Sequence, residues 1–317
     1  MKKELAVLCL AGGLAVPEVP ACDLCSVYAA AQARGETGSG FFGGVAEQFT
    51  HFGTVQVDGR RVANPAGQYL DSSISQVFAG YNLSDRFGIQ VNLPVIHRTF
   101  RRPVGFAIDE ARDAGLGDVS VLGNFRVVSR ERKNSTLNWS VIGGVKFPTG
   151  RTTRLTEEFN EVEIPGAPES GIHGHDLTLG TGSYDGLIGS SIFARRGRFF
   201  ATANVQYTIR STGDFEYHFA NDLTWGVGPG YYLLLEDNYT LALQMAVSGE
   251  RKGLDTFAGA TAADTGVTAL YLGPQATFTW SDKLSVQVGV DIPVVMDNTA
   301  LQTVPDYRLR AALTWHF

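Results

Sequence analysis

The chain has 317 residues, 44% of them apolar and only 18% charged, with 37 glycines and a formal net charge of −6. Soluble domains usually carry about 25% charged residues, and a net negative chain offers no basic field to nucleic acid. Nucleic-acid binding is set aside, and the fold has to be read from targeting signals and periodicity.

The first residues read as an export signal. Lys2 and Lys3 give a positive start, residues 5–16 an apolar stretch of suitable length, and Val19-Pro20-Ala21 a cleavage site. A signal peptide is therefore expected over 1–21. Acylation of Cys22 is an alternative that Pro20 fits poorly. Cleavage would expose Cys22-Asp23-Leu24-Cys25, a pair open to three readings: a local disulfide, a redox dithiol, or half a site for a soft metal. Two ligands fall short of the four that structural zinc takes, and no histidine follows Cys25 as c-type haem attachment requires. Residues 26–39 could form a short helix, either a partial plug in a lumen or a periplasmic tether. Beyond residue 30 no run of about 18 apolar residues exists, so no membrane-spanning helix is expected.

From residue 40 onward the chain alternates with period two. Strands are expected near 41–54, 72–83, 86–98, 117–130, 137–147, 184–195, 199–210, 222–235, 239–250, 270–280, 284–294 and 307–317. At the end of the chain Tyr307, Leu309, Ala311, Leu313, Trp315 and Phe317 share one face, against Arg308, Arg310, Ala312, Thr314 and His316 on the other. An apolar face toward lipid and a polar face toward a lumen is the pattern of an all-β transmembrane antiparallel barrel, and twelve is an even strand number, as single-chain bacterial barrels have. Short connections at 84–85, 132–135, 195–198, 236–238 and 281–283 alternate with long ones at 55–71, 99–116, 149–183, 211–221, 249–267 and 297–305. That ordering gives periplasmic turns and longer extracellular loops over 40–317. A secreted sandwich would alternate too, but its connections need not sort in this way.

Three segments, Gly115-Leu116-Gly117-Asp118-Val119-Ser120-Val121, Lys146-Phe147-Pro148-Thr149-Gly150 and Leu177-Thr178-Leu179-Gly180-Thr181-Gly182-Ser183-Tyr184-Asp185, carry a family resemblance. Together they resemble the outer-membrane transporters grouped as the MetA-pathway phenol-degradation family, related to the FadL-type channels, over roughly residues 70–317. The resemblance implies a passive channel for small organic solutes, aromatic ones among them.

Arg126, Lys146, Arg210, Glu250, Asp291, Arg308 and Arg310 fall on inward faces and are expected to line the lumen, either as selectivity groups of a wet path or as the cross-bracing of a narrow interior; in an open path Arg126, Arg308 and Arg310 would set an anion bias against Glu250 and Asp291. His173 and His175 are weak metal candidates beside Asp176, since alternate residues of an extended segment diverge; a solvated loop is the expectation there. Pro229 and Pro274 lie mid-strand and should mark bulges or kinks, one of them a lateral route of the FadL kind. Phe317 is the expected assembly signal for the barrel-assembly machinery. The sequence holds no G-x-S-x-G elbow and no convincing Ser/His pairing, so neither an enzyme nor a cofactor is expected. The expected surroundings are outer-membrane lipid and a small-molecule solute. The competing reading is a structural or interaction barrel whose Cys22/Cys25 start engages a periplasmic redox or metal partner.

Overall fold

The computed structural model describes residues 40–159, 164–281 and 283–317. The expected signal peptide, the Cys22/Cys25 pair and the helix at 26–39 lie outside the described residues.

Twelve long strands follow the alternation. They are β1 (Gly40–Val57), β2 (Tyr69–Asn82), β3 (Phe87–Val104), β4 (Ser120–Arg132), β5 (Ser135–Lys146) and β6 (Asp185–Arg196). The second half comprises β7 (Phe199–Ile209), β8 (Asp222–Leu235), β9 (Tyr239–Lys252), β10 (Val267–Trp280), β11 (Leu284–Asn298) and β12 (Leu301–His316). Each pairs antiparallel with its neighbour in the chain, and β12 returns to β1, from His316 opposite Phe42 to Leu301 opposite Val57. Closure removes the sheet edge, which is the condition for a sheet to cross lipid.

Exposure along the strands is the inverse of a soluble core. Gln48, Thr50, Gln76 and Asn92 are at most 1% exposed on the inner face, whereas Val45, Ile188, Leu243 and Val288 are 51%, 52%, 47% and 50% exposed on the outer one. Aromatic side chains ring the short-turn end: Phe41 meets Tyr81 at 4.6 Å, Phe199 meets Tyr231 at 4.9 Å, and Tyr239 pairs with Trp280. Such a girdle marks the membrane interface. The outer face has one acidic interruption of note. Glu47, roughly 15 Å above Phe41 at ~3.3 Å per residue and ~40° tilt, accepts hydrogen bonds from Ser73 (2.5 Å) and Ser75 of β2.

Two expected loops are strand instead. The connection at 297–305 is only the two-residue turn Thr299-Ala300, because β11 and β12 run far beyond the membrane band. Within 99–116, β3 continues to Val104 and a further strand, Ala107–Leu116, folds back on it from Val95–Leu116 to Val104–Ala107. Strands of 18 residues, as in β1 and β3, are nearly twice the ~10 needed to span the bilayer. Their upper halves therefore stand as a wall around the long loop 147–184.

That loop turns inward. Leu155, Ile172, Leu177 and Leu179 are all at most 1% exposed. Ile172 and Leu177 pack with Leu70 and Phe100, Leu155 with Tyr217 and Phe219, and Leu179 joins Ala46, Ile74, Phe78, Ile96 and Ala312 on the inner wall. A second apolar group, Leu122, Ile142 and Leu187, lines β4–β6, while the charged residues Glu250, Asp291, Arg308 and Arg310 face the lumen from β9, β11 and β12.

Candidate functional site

The three segments that carry the family resemblance meet at one point. Asp118 precedes β4, Lys146 ends β5 and Asp185 opens β6, so strand pairing alone sets their side chains on one inner level. Lys146 Nζ lies 2.7 Å from Asp118 Oδ2 and 2.6 Å from Asp185 Oδ2. Asp118 also accepts Thr181 N and Oγ1 at 2.9 Å each and Gly150 N at 2.9 Å. Burial alone would raise the Asp118 carboxyl, but Lys146 and these donors hold it below the ordinary carboxylate range. The series continues around the rim, where Arg210 binds Asp185 (3.1 Å) and Asp222 (2.5 Å). Acid and base thus alternate over β4 to β8, each buried charge facing an opposite one, as buried charges must. The belt ties both ends of loop 147–184 to the wall.

Inside that loop, His173 and His175 do not sit in solvent. Gly174–Leu177 forms a helical turn, and the two imidazoles stack at 5.6 Å with an interplanar angle of 5°. A turn of helix brings together what an extended segment would have separated. His175 N donates to Glu158 Oε1 (2.7 Å), and its ring Nδ1 lies 3.0 Å from the same oxygen. Burial would lower the His175 pKa, yet Asp176 and the hydrogen-bonded Glu158 outweigh it and raise it to about 10. Glu158 answers in kind: burial would raise it, but the hydrogen bond and charge of His175 bring it down to about 2. Both rings are spent on carboxylates, His173 on Asp264 at 3.3 Å. Among the described residues no group of three or more His, Cys, Asp or Glu side chains is arranged to hold a metal. Arg102 pins the same loop, reaching Glu157 (2.5 Å) and Asp109 (3.2 Å).

Below loop 147–184, which plugs the upper lumen and is called the plug from here on, the expected lumen charges form closed pairs. Arg308 is bidentate on Glu250 (2.7 and 2.8 Å), Tyr271 donates its hydroxyl to Glu250 (2.7 Å), and Arg308 lies 4.2 Å over the Tyr271 ring. Arg310 binds Asp291 at 2.6 and 2.7 Å. The anion bias expected of Arg308 and Arg310 is therefore cancelled locally by Glu250 and Asp291. Arg126 keeps its inward register but reaches down to the Asp85 carbonyl (2.6 Å) in a periplasmic turn, so it belongs to the rim and not to this cluster. Between these pairs and β7–β9 lies a cavity of ≈ 80 Å³, lined by Gln48, Asn204, Thr224, Gln244, Gln275 and Gln287 among others. At ~15 Å³ of such space per molecule it has room for about five waters.

Sequence reasoning missed Asp118, Asp185, Asp222 and Tyr271. For the first two the signal lay in the resembling segments themselves, which quote both acids. Pro229 and Pro274 make no bulge, since the register is the same on either side. Instead each opens a two-residue gap in one ladder: β8–β9 pairing passes from Val227–Val247 to Gly230–Gln244, and β10–β11 pairing from Leu272–Ile292 to Gln275–Gly289. The missing N–H is accommodated by lost pairs and not by an extra residue. Above Asp291–Arg308, β11 and β12 part: the rest of β11 pairs with β10, the rest of β12 with β1, and Thr303 N donates to Gly171 of the plug loop (2.7 Å).

A closed barrel, apolar outside and polar within, defines the class: the chain is a transmembrane β-barrel of the bacterial outer membrane. Among solved structures it is similar to the COG4313 outer membrane channel from Pseudomonas putida F1, with a TM-score of 0.62 and 12% identity over 90% of this chain and 98% of that one. The translocator domain of autotransporter NalP from Neisseria meningitidis matches with a TM-score of 0.42 and 12% identity, over 92% of this chain and 93% of that one. A Pseudomonas aeruginosa FadL homologue matches with a TM-score of 0.34 and 10% identity, over 88% and 90%. At 12% identity the first of these likenesses establishes the fold alone. No family model and no curated protein matches the chain.

Proposed function

We propose that the chain is a passive outer-membrane channel for small organic solutes, with its path along the β7–β11 side of the lumen. The observation that carries this reading is a cavity wide enough for water in the lumen of a closed barrel, lined by both apolar and hydrogen-bonding side chains. Extension to aromatic solutes rests on the family resemblance. Purified protein in planar bilayers should show discrete conductance, and deletion of residues 153–177 from the plug should enlarge it. Silence from both proteins would refute the channel and favour an interaction barrel acting through Cys22 and Cys25.

A lateral exit is a second reading, favoured by the parting of β11 and β12 above Asp291–Arg308. A disulfide joining Ile292→Cys to Tyr307→Cys should slow uptake of an apolar solute into cells while leaving ionic conductance unchanged. Equal uptake with the bond closed and reduced would discard the lateral path.

A further inference from the structure

The lining of the lumen cavity says what kind of solute it accepts. It sets an apolar wall around Trp225, Val227 and Val247 against uncharged hydrogen-bonding side chains, among them Thr202, Asn204, Thr224, Gln244, Gln275 and Gln287. Some of these are engaged with each other, as Gln244 is with Thr202 (2.5 Å) and Gln275 with Gln244 (3.3 Å). Others are not. Thr224 is 4% exposed and its Oγ1 has no partner, while the side chains of buried Gln287 and half-buried Asn204 and Ser248 are not tied to other side chains among the described residues. Buried polar groups are normally satisfied, so these side chains along the cavity offer donors and acceptors to water or to a solute that replaces it.

The charges nearby do the opposite. Arg308 is neutralised by Glu250 and Arg310 by Asp291, at 2.6–2.8 Å. An incoming ion meets no uncompensated counter-charge and has only amides and hydroxyls to replace its water shell. A neutral solute with several hydroxyl or amide groups meets donors and acceptors of its own kind on this wall and leaves no charge without a counter-charge.

From this we infer that the lumen selects small, uncharged solutes bearing several hydroxyl or amide groups, and discriminates against their charged analogues of equal size. The inference rests on the channel reading and names its solute class. Swelling of proteoliposomes compares glucose, gluconate and glucosamine, three probes of similar size with charges of 0, −1 and +1. Glucose should enter about tenfold faster than either ion, the factor lost when one hydrogen-bonding match is replaced by an uncompensated charge. Asp291→Asn should free Arg310 and raise gluconate entry relative to glucose, and Arg310→Gln should raise glucosamine entry by the same logic. Gln244→Leu with Gln287→Leu should slow glucose about tenfold while leaving barrel mobility on gels unchanged. Equal entry of all three probes into wild-type liposomes, or ratios indifferent to both charge variants, would overturn the selectivity and leave the channel standing. No swelling with any probe, together with no conductance, would instead remove the channel itself.

Discussion

Gly150 and Gly180 touch: a Cβ on Gly180 would stand 2.7 Å from Gly150 Cα and equally close to Asp118 Oδ1. No larger residue fits where the loop enters and leaves the wall, and the contact brings Gly150 N onto Asp118. Asp118 is therefore the residue on which the plug's anchorage turns. Asp118→Asn keeps the shape but leaves Lys146 buried with one acid in place of two. It should destabilise the folded barrel by ~3 kcal/mol, the scale of breaking a buried ion pair. Adding Lys146→Met to Asp118→Asn should cost more still, because Asp185 loses Lys146 and is left sharing Arg210 with Asp222. Guanidinium midpoints, read by heat-modifiable gel mobility, test both; a double variant as stable as the single would show that shape and not charge pairing holds the node.

The plug is the element whose stability follows pH. His175 has a folded pKa raised from 6.5 to about 10, so its contribution is complete below 6.5 and is lost as pH rises through about 10. Glu158 is depressed from 4.5 to about 2, so its contribution is complete above 4.5 and is lost as pH falls through about 2. Protease protection of loop 147–184 should accordingly be greatest between 4.5 and 6.5 and decline on both sides. His175→Gln should abolish the alkaline limb and lower protection at pH 6 as well. A flat profile in the wild type would mean that the stacked histidines do not hold the loop.

The strands were legible in the sequence because lipid on one side and water on the other enforce alternation, visible along β9 and from Tyr307 to the end of β12. The plug was not, because its residues obey no period. Leu155, Ile172, Leu177 and Leu179 are spaced irregularly, and what makes them a core is a wall formed by strands far away in the chain. The same holds for the lumen charges. Their inward register could be counted, but that Arg308 would meet Glu250, three strands away around the barrel, depends on how β9 and β12 face each other across the interior. The two-residue turn at Thr299-Ala300 was hidden by an assumption that strands stop where the membrane does.

At the scale of the whole molecule, β12 is both the last strand and the partner of the first. Phe317 N donates to Phe41 O (3.0 Å), so its backbone fixes the periplasmic end of the closing seam. We expect deletion of Phe317 to reduce the folded fraction on heat-modifiable gels, in keeping with a role in assembly; an unchanged folded fraction would confine it to the girdle. The seam also dictates the tempo of folding. β1 leaves the ribosome first, yet its long ladder to β12 cannot form until the rest of the chain has been delivered, and contacts of such sequence separation are the slowest to make. Until then β1 presents an open row of N–H and C=O groups, the template on which a second chain could pair wrongly. A chain built this way keeps β1 unpaired for as long as β12 is missing, and the open row on β1 is the place where misassembly starts.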